Sequence, residues 1–237
     1  KTEVLEKLKQ ISLARKIEIF AAFLVLIIII FFQIINLHYS ASLWRDETNT
    51  AVLASRPLTI GVHDALMYAS YPPVSVVVVH FWNFFTKSDE GLRILGFLIG
   101  MAILAAIWFN AYLFGLGIPS IAMSVFELNY VAVHFSNSIR AYGLGIFFIL
   151  LTLGLIWNWI SSVEDSWKIF ILATLAAVLS VQTMYQNAFL LLGICVGGAL
   201  VALSHHNLKK VFKVLAVGII AAGSLIPYVG FIRHANN

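Results

Sequence analysis

The sequence IEIFAAFLVLIIIIFFQIINL, residues 17–37, decides the fold class. A helix crosses a bilayer with about 20 predominantly apolar residues, and this run has that length. The polar stretch HYSASLWRDE, residues 38–47, follows at once. Because no small-residue cleavage site separates the two stretches, we expect a retained membrane anchor rather than a cleaved signal peptide.

The composition of the whole chain agrees with this first run. Of 237 residues, 61% are hydrophobic and only 11% are charged, whereas soluble domains carry roughly 25% charged residues. Too little polar surface remains to cover a water-soluble globule, which predicts an integral membrane protein. The net charge of +4 comes mostly from segment ends, which indicates membrane topology rather than nucleic-acid binding. The single Cys195 gives no disulfide framework and no thiolate metal site.

Seven apolar segments are predicted to cross the membrane in an all-α, polytopic bundle. They cover residues 17–37, 91–113, 118–134, 141–160, 167–185, 188–203 and 214–231. Residues 1–16 carry apolar side chains near one face with basic ones around it, which predicts a cytosolic amphipathic helix on the anionic inner leaflet. Residues 17–237 form one transmembrane module, and we expect further chain beyond Asn237 because an apolar run ends just before it.

The loop of residues 38–90 differs from the spans in its mixture of charged and aromatic side chains. Two short helices are predicted there, at about 46–54 and 60–70, lying in the plane of the membrane. Prolines 72 and 73 predict the start of another helix, Val74 to Phe85. Its length indicates a re-entrant or interfacial segment rather than a span.

Whether this proline-led helix spans decides the side of every later segment. If it does not span, Arg140 lies on the same face as Asp46, and Lys209, Lys210 and Lys213 lie in the cytosol with the N-terminus. If it spans, these assignments invert. The positive-inside rule gives both topologies the same excess of Lys and Arg inside. We prefer the non-spanning topology because of the length of the helix, so the first loop is expected to be external.

Two adjacent acids, Asp46 and Glu47, follow the first span almost immediately. Acids beside a membrane are energetically unfavourable, which favours a functional hypothesis. On a helix the two side chains point about 100° apart, so we expect them to have different tasks. The alternative is a helix N-terminus, where the macrodipole favours acids, and the residue pattern leaves both interpretations open.

Other polar residues lie at the mouths of spans or inside them. Arg140 and Arg93 could pair bidentately with a phosphate, although anchoring to lipid headgroups is the alternative for each. Glu127, Asn129 and His134 interrupt the third predicted span. Because lipid exposure of such groups is unfavourable, we expect them to face the bundle or a wet cavity.

A metal site is not indicated by the spacing of the possible ligands. His38, His63, His80 and His134 could converge with Asp46, yet no pair has the His-x-x-x-His or His-x-x-Glu spacing of a preformed site. We therefore assign no metal ligands, and dependence on a divalent metal is left open.

Four motifs follow one another along the chain: LWRDE at 43–47, YPPV at 71–74, GLRILG at 91–96 and SIRAY at 138–142. In this order they resemble motifs of the membrane-embedded glycosyltransferases of the GT-C superfamily, in particular the protein O-mannosyltransferase and aminoarabinose-transferase branch. Tyr71 stands where the family motif has histidine. Asn137 and Ser138 stand where many relatives carry an acid, which puts a second external acid, and any metal it would help to bind, in doubt.

The resemblance implies a multi-pass glycosyltransferase of the plasma membrane or endoplasmic reticulum. It would move a sugar from a polyprenyl-phosphate donor to a hydroxyl of a protein, lipid or glycan acceptor, with inversion, at the external or lumenal face. Asp46 would be the general base, and Glu47 would support it or position the acceptor. The residues implied to bind substrate are His38, Tyr71, Arg93, Arg140 and Tyr142.

Two other functions remain compatible with the sequence. A non-catalytic membrane subunit or pseudoenzyme is one, and a transporter of lipid-linked substrates is the other. Transporters commonly show broken helices in repeated halves, and we find no convincing internal repeat.

Overall fold

The computed structural model describes residues 13–39, 42–68, 72–115, 117, 119–162 and 165–231. All regular secondary structure in these residues is helical. Five helices have the length and apolar composition to cross a membrane: Lys16–Tyr39, Asp89–Leu113, Ala141–Ser161, Asn187–Ser204 and Leu208–Phe231. The predicted class, an all-α protein with several helices of membrane-spanning type, is confirmed.

The described helices are numbered in chain order. They are α1 (Leu13–Tyr39), α2 (Arg45–Ser55), α3 (Leu58–Tyr68), α4 (Val74–Trp82), α5 (Asp89–Leu113), α6 (Ser120–Leu128), α7 (Tyr130–Ser136), α8 (Ala141–Ser161), α9 (Trp167–Thr183), α10 (Asn187–Ser204) and α11 (Leu208–Gly223), followed by a 3₁₀ turn at Ile226–Tyr228.

The loop between the first two long helices folds as predicted into three short helices. Helices α2 and α3 match the predicted segments to within two residues at each end. Helix α4 begins at Val74 as the prolines indicate, but it ends at Trp82, three residues before the predicted Phe85. Nine residues of α4 extend about 13.5 Å, well short of the roughly 30 Å hydrocarbon core. Val76 and Val79 are buried in one cluster with Leu53 of α2. Helix α4 therefore packs with the loop helices and is too short to span.

The third predicted span, residues 118–134, is not one helix. It is divided at Asn129 into α6 and α7. Asn129 has extended backbone angles, φ −87° and ψ 98°, and its side chain accepts a hydrogen bond from the Ala132 amide at 3.1 Å. This is an N-cap, which begins a new helix. The sequence stays apolar on both sides of the break, so a count of apolar residues alone predicts one continuous helix.

Three further boundaries differ from the sequence prediction. The seventh predicted span, 214–231, corresponds to a helix that begins six residues earlier, at Leu208. The fifth predicted span, 167–185, corresponds to the 17-residue helix α9. Residues 1–12 of the predicted amphipathic helix lie outside the described residues, and α1 runs without interruption from Leu13 to Tyr39. No helix boundary therefore exists at residue 16. The count of seven spans stays a prediction.

Helix α8 connects two hydrophobic cores. Ile156 and Trp159, near its end, pack with α9, α10 and α11. Leu144, near its start, belongs to the cluster that contains Ile99 and Ile139. We call the end of the bundle at the start of α8 the site end, because Arg140 precedes the helix there. We call the opposite end, where Lys210 lies, the lysine end.

Candidate active site

Two ion pairs bring together the four charged residues on which the functional hypothesis rests. Arg140 Nη1 lies 2.5 Å from Asp46 Oδ2, across 94 positions of sequence. Arg93 Nη1 lies 3.0 Å from Glu47 Oε2 and 3.3 Å from Oε1. Asp46, Glu47, Arg93 and Arg140 thus meet at the site end.

The two neighbouring acids face different environments, as their helical positions predict. Both lie in the first turn of α2, where successive side chains diverge by about 100°. The side chain of Glu47 is 4% exposed, whereas that of Asp46 is 42% exposed. Asp46 is therefore the acid that a substrate can reach, and Glu47 is enclosed by the fold.

The contacts of Glu47 hold the loop in place. Its Oε2 accepts a hydrogen bond from the Trp44 amide at 3.3 Å, which caps the first turn of α2. Its partner Arg93 also donates to the Ser42 carbonyl oxygen at 3.1 Å. The Glu47–Arg93 pair thus ties the start of α2 and the preceding chain to α5. Glu47 fulfils the helix-terminus alternative raised by the sequence, and Asp46 remains available for other contacts.

A pair of glycines on α5 seats the loop that carries Arg140. A Cβ at Gly96 would lie 1.8 Å from the Asn137 carbonyl oxygen, and a Cβ at Gly100 would lie 2.0 Å from Asn137 Oδ1. Only glycine leaves room for this approach. Ile139, two residues on, is fully buried. The seat fixes the loop on α5 and so directs Arg140 towards α2.

The other residues implied to bind substrate have varied positions. Tyr142 borders Arg140, with its hydroxyl 3.4 Å from Nη1 and its ring centroid 5.2 Å from Cζ. His38 lines a cavity that Arg93 also lines. Tyr71 lies outside the described residues.

The histidines considered as metal ligands are not gathered. His80 contacts the Ala54 carbonyl oxygen at 2.8 Å, and His63 lies beside Asp64 at 3.5 Å. In the part of the chain that the structure describes, no group of three His, Cys, Asp or Glu side chains is arranged to hold a metal ion.

Two cavities flank Arg93. One, of about 590 Å³, has His38, Asp89 and Glu90 in its lining. The other, of about 280 Å³, is lined by residues that include Trp44, Tyr130, His134 and Asn137. Arg93 therefore borders space that a ligand could enter, whereas Asp46 and Arg140 line neither of these two cavities.

A polar network beside the smaller cavity was only partly predicted from the sequence. Gln33 of α1, 1% exposed, donates through Nε2 to both carboxylate oxygens of Glu127, each at 2.9 Å. Its Oε1 accepts a hydrogen bond from Asn137. Glu127 faces the bundle, as expected. The sequence analysis did not identify Gln33, although an amide side chain inside an apolar span is a signal that could have indicated it.

Charge balance describes what the cluster can do. Two carboxylates and two guanidinium groups sum to no net charge, so each acid is stabilised without a further counter-ion. An entering anion would compete with the carboxylates for the arginines, which bind phosphate and carboxylate in similar geometry. An arginine of the cluster can therefore release its carboxylate partner and bind an external anion in its place.

Comparison of the chain with protein-family models, with curated proteins and with solved structures finds no match. The functional argument consequently rests on the residues and their geometry.

Proposed function

We propose that the chain is a glycosyltransferase that moves a sugar from a polyprenyl-phosphate donor to an acceptor hydroxyl, with inversion. One observation carries this proposal: Asp46, a half-exposed carboxylate, lies 2.5 Å from an arginine at the rim of a membrane bundle. A carboxylate can accept the proton of an attacking hydroxyl, and arginine can stabilise the phosphate that departs. The four motifs that resemble GT-C enzymes supply the substrate class.

The ion pair suggests how the site responds to the donor. Arg140 holds Asp46 in the structure, and the phosphate of the donor competes for the same guanidinium. When Arg140 turns to the phosphate, Asp46 is released to act as general base. The acceptor oxygen then bonds to the anomeric carbon, its proton passes to Asp46, and the bond from the anomeric carbon to the phosphate oxygen breaks.

Positive charge is needed because the reaction increases the negative charge of the phosphate. The phosphodiester of the donor becomes a phosphomonoester, which carries more negative charge. Arg140 and Arg93 face this developing charge where lipid and protein lower the dielectric constant, so their attraction is stronger than in water. Tyr142 packs on Arg140 and restricts where the guanidinium can move.

The site is proposed to lie on the external or lumenal face. The short length of α4 supports a loop that returns to the side it left, so the following helices keep the non-spanning topology. In that topology Lys209, Lys210 and Lys213 lie on the cytosolic side, although the positive-inside rule does not distinguish this topology from the inverted one. The seven-span arrangement then counts α6 and α7 together as one interrupted crossing.

The decisive experiment compares two acids of the same loop. Asp46→Asn should lower the turnover of a polyprenyl-phosphate sugar by about 10²–10⁴-fold, the usual contribution of a general base. Asp64→Asn is the matched control. Asp64 also pairs with an arginine, Arg56, but Asp64 lies on α3 rather than α2. Transfer is measured with purified protein in nanodiscs against a panel of donors and acceptors. Full activity of Asp46→Asn beside an equally active control would rule out the catalytic assignment.

A non-catalytic membrane subunit is the second candidate, favoured by one observation. Both acids are already paired with arginines, which is what a purely structural cluster requires. That function predicts that Asp46→Asn lowers the stability of the protein and that the wild-type chain transfers no sugar from any donor in the panel.

A further inference from the structure

The smaller of the two cavities beside Arg93 has two chemically different walls. It lies between α1, the start of α2, α5 and α7. One wall, which we call the amide wall, consists of Gln33, Asn36 and Asn137. The other, which we call the aromatic wall, consists of Trp44, Tyr130 and His134.

The amide wall combines a buried, fixed amide with an exposed one. Gln33 is held on both sides, since it donates to Glu127 and accepts from Asn137. Its amide orientation is therefore fixed by the network rather than by solvent. Asn36 lies one turn further along α1 and is exposed. An amide side chain both donates and accepts, so Asn36 is the member of this wall that can bond to sugar hydroxyl groups.

The aromatic wall is a continuous set of rings. His134 stacks on Tyr130 with centroids 5.8 Å apart and an interplanar angle of 20°. Its ring also lies 6.0 Å from that of Trp44. Aromatic faces carry negative charge density and attract the polarised C–H groups of a sugar ring. Isolated interfacial aromatics anchor proteins in the headgroup region, but these rings line a cavity together with amides.

The size of the cavity limits what it can hold. Its volume is about 280 Å³, and water occupies about 30 Å³ per molecule in the liquid. The cavity therefore has the volume of about nine waters, which accommodates a monosaccharide. Arg93 also lines it, so a ring bound there would have its phosphate beside a guanidinium of the cluster.

We propose that this cavity is the sugar-binding subsite, which receives the glycosyl ring of the donor beside the aromatic wall and Asn36. The inference rests on the proposed function and deepens it by assigning recognition of the sugar to α1 and α7. Hydroxyl groups bond to Asn36, and the C–H face of the ring packs on the aromatic wall. The four charged residues recognise the phosphate and carry the chemistry, so the two tasks belong to different side chains.

The test measures binding and does not depend on turnover. Wild-type protein in nanodiscs is titrated with decaprenyl phosphate and with decaprenyl-phosphate mannose, glucose and arabinose. We expect at least one glycosylated lipid to bind about tenfold more tightly than the sugar-free lipid. His134→Ala should remove most of this preference and leave the affinity for decaprenyl phosphate unchanged. The matched control, His205→Ala, changes an exposed histidine at the lysine end and should retain the preference.

Two further variants keep the test decisive if His134→Ala folds poorly. Tyr130 is 77% exposed, so Tyr130→Ala should fold, and it should weaken the preference by several-fold. His134→Phe retains a ring and should preserve most of it. Equal wild-type affinity for all four lipids, or an equal loss for glycosylated and sugar-free lipids in His134→Ala and Tyr130→Ala, would overturn the inference.

The outcomes separate the inference from the proposed function. A sugar preference that depends on the aromatic wall, together with full transfer by Asp46→Asn, supports the subsite and refutes the general base. Sugar transfer that depends on Asp46, without any preference for glycosylated lipids, supports the general base and refutes the subsite. Absence of binding by any of the four lipids contradicts both.

Discussion

The two ends of α8 both hold charged side chains in the bundle, but in different circumstances. At the lysine end, Lys210 is 3% exposed. Its Nζ donates to the carbonyl oxygens of Trp159, Ile160 and Ser162 at 2.8, 3.2 and 2.5 Å. An ammonium group has three donors, so these contacts use all of them, and they satisfy the last carbonyls of α8.

At the site end, the charged groups are paired but remain accessible. Asp46 keeps 42% of its side chain exposed and Arg140 keeps 20%. Carboxylates can accept several hydrogen bonds, and a phosphate can replace a carboxylate on arginine. The comparison teaches that burial and pairing do not identify a functional charge. Accessibility and an exchangeable partner are also needed, and the Asp46–Arg140 pair has both, whereas the buried Lys210 has neither.

The largest effect is expected at the site end, on turnover. Arg140→Ala should reduce kcat for sugar transfer by about 10²–10³-fold, because the developing phosphate charge loses its partner. Arg140→Lys should be intermediate, since lysine lacks the planar fork. The matched control is Arg56→Ala, which removes the exposed partner of Asp64 in the same loop. If Arg140→Ala lost only stability, the site end would be no more functional than the lysine end.

The next effect is expected at the lysine end, on stability. Lys210→Ala removes the ammonium donor from three carbonyl oxygens, of which that of Trp159 keeps a hydrogen bond from the Ser162 hydroxyl. The free energy of unfolding should fall by about 2–4 kcal/mol. Turnover per folded molecule should not change. Unfolding is followed by circular dichroism in mixed micelles, with Lys209→Ala as control at an exposed neighbouring position. A loss of turnover in folded Lys210→Ala would contradict the division between the two ends.

The third effect tests whether the seat on α5 positions the site. Gly96→Ala places a methyl group against the Asn137 carbonyl oxygen and should cost about 1–3 kcal/mol of stability by overpacking. Turnover should fall as well, because the loop carries Arg140. Gly193→Ala is the control, since nothing lies within 4 Å of a Cβ there. Equal behaviour of the two variants would show that the seat is not needed.

The smallest effect concerns pH at the lysine end. The hydrogen bond from Lys213, at 2.6 Å, lowers the pKa of Asp165 below its ordinary value. A carboxyl whose pKa is depressed by folding stabilises the protein above its unfolded pKa of about 3.9, and this contribution is lost as pH falls through the folded pKa. Asp165→Asn should therefore flatten the pH dependence of thermal stability below about pH 4. An unchanged profile would assign no stability to this pair.

The local features of the fold were largely predictable from the sequence. Apolar runs of bilayer length gave the long helices, and prolines 72 and 73 gave the start of α4. The break at Asn129 was not predicted, because an N-cap inside an apolar run leaves hydropathy almost unchanged. Asp46 and Glu47 were recognised as divergent because their separation on a helix is a local property.

The partners of these acids depended on contacts that are distant in sequence. Arg140 lies 94 positions from Asp46, and no periodicity relates the two. The sequence alone allowed each arginine to anchor lipid headgroups instead. Gly96 belonged to a recognised motif, yet its use as a seat for Asn137 required the packed loop.

The sequence by itself determined that the protein has membrane-type helices and which charged residues could take part in a reaction. These properties follow from composition and from the spacing of residues along one helix. Tertiary structure decided which charges meet, which acid stays accessible and where amide and aromatic side chains line a common cavity. The physical reason is that packing joins residues from α1, α2, α5, α7 and α8, and glycine seats on α5 allow the approach. Local propensity contains no information about such contacts.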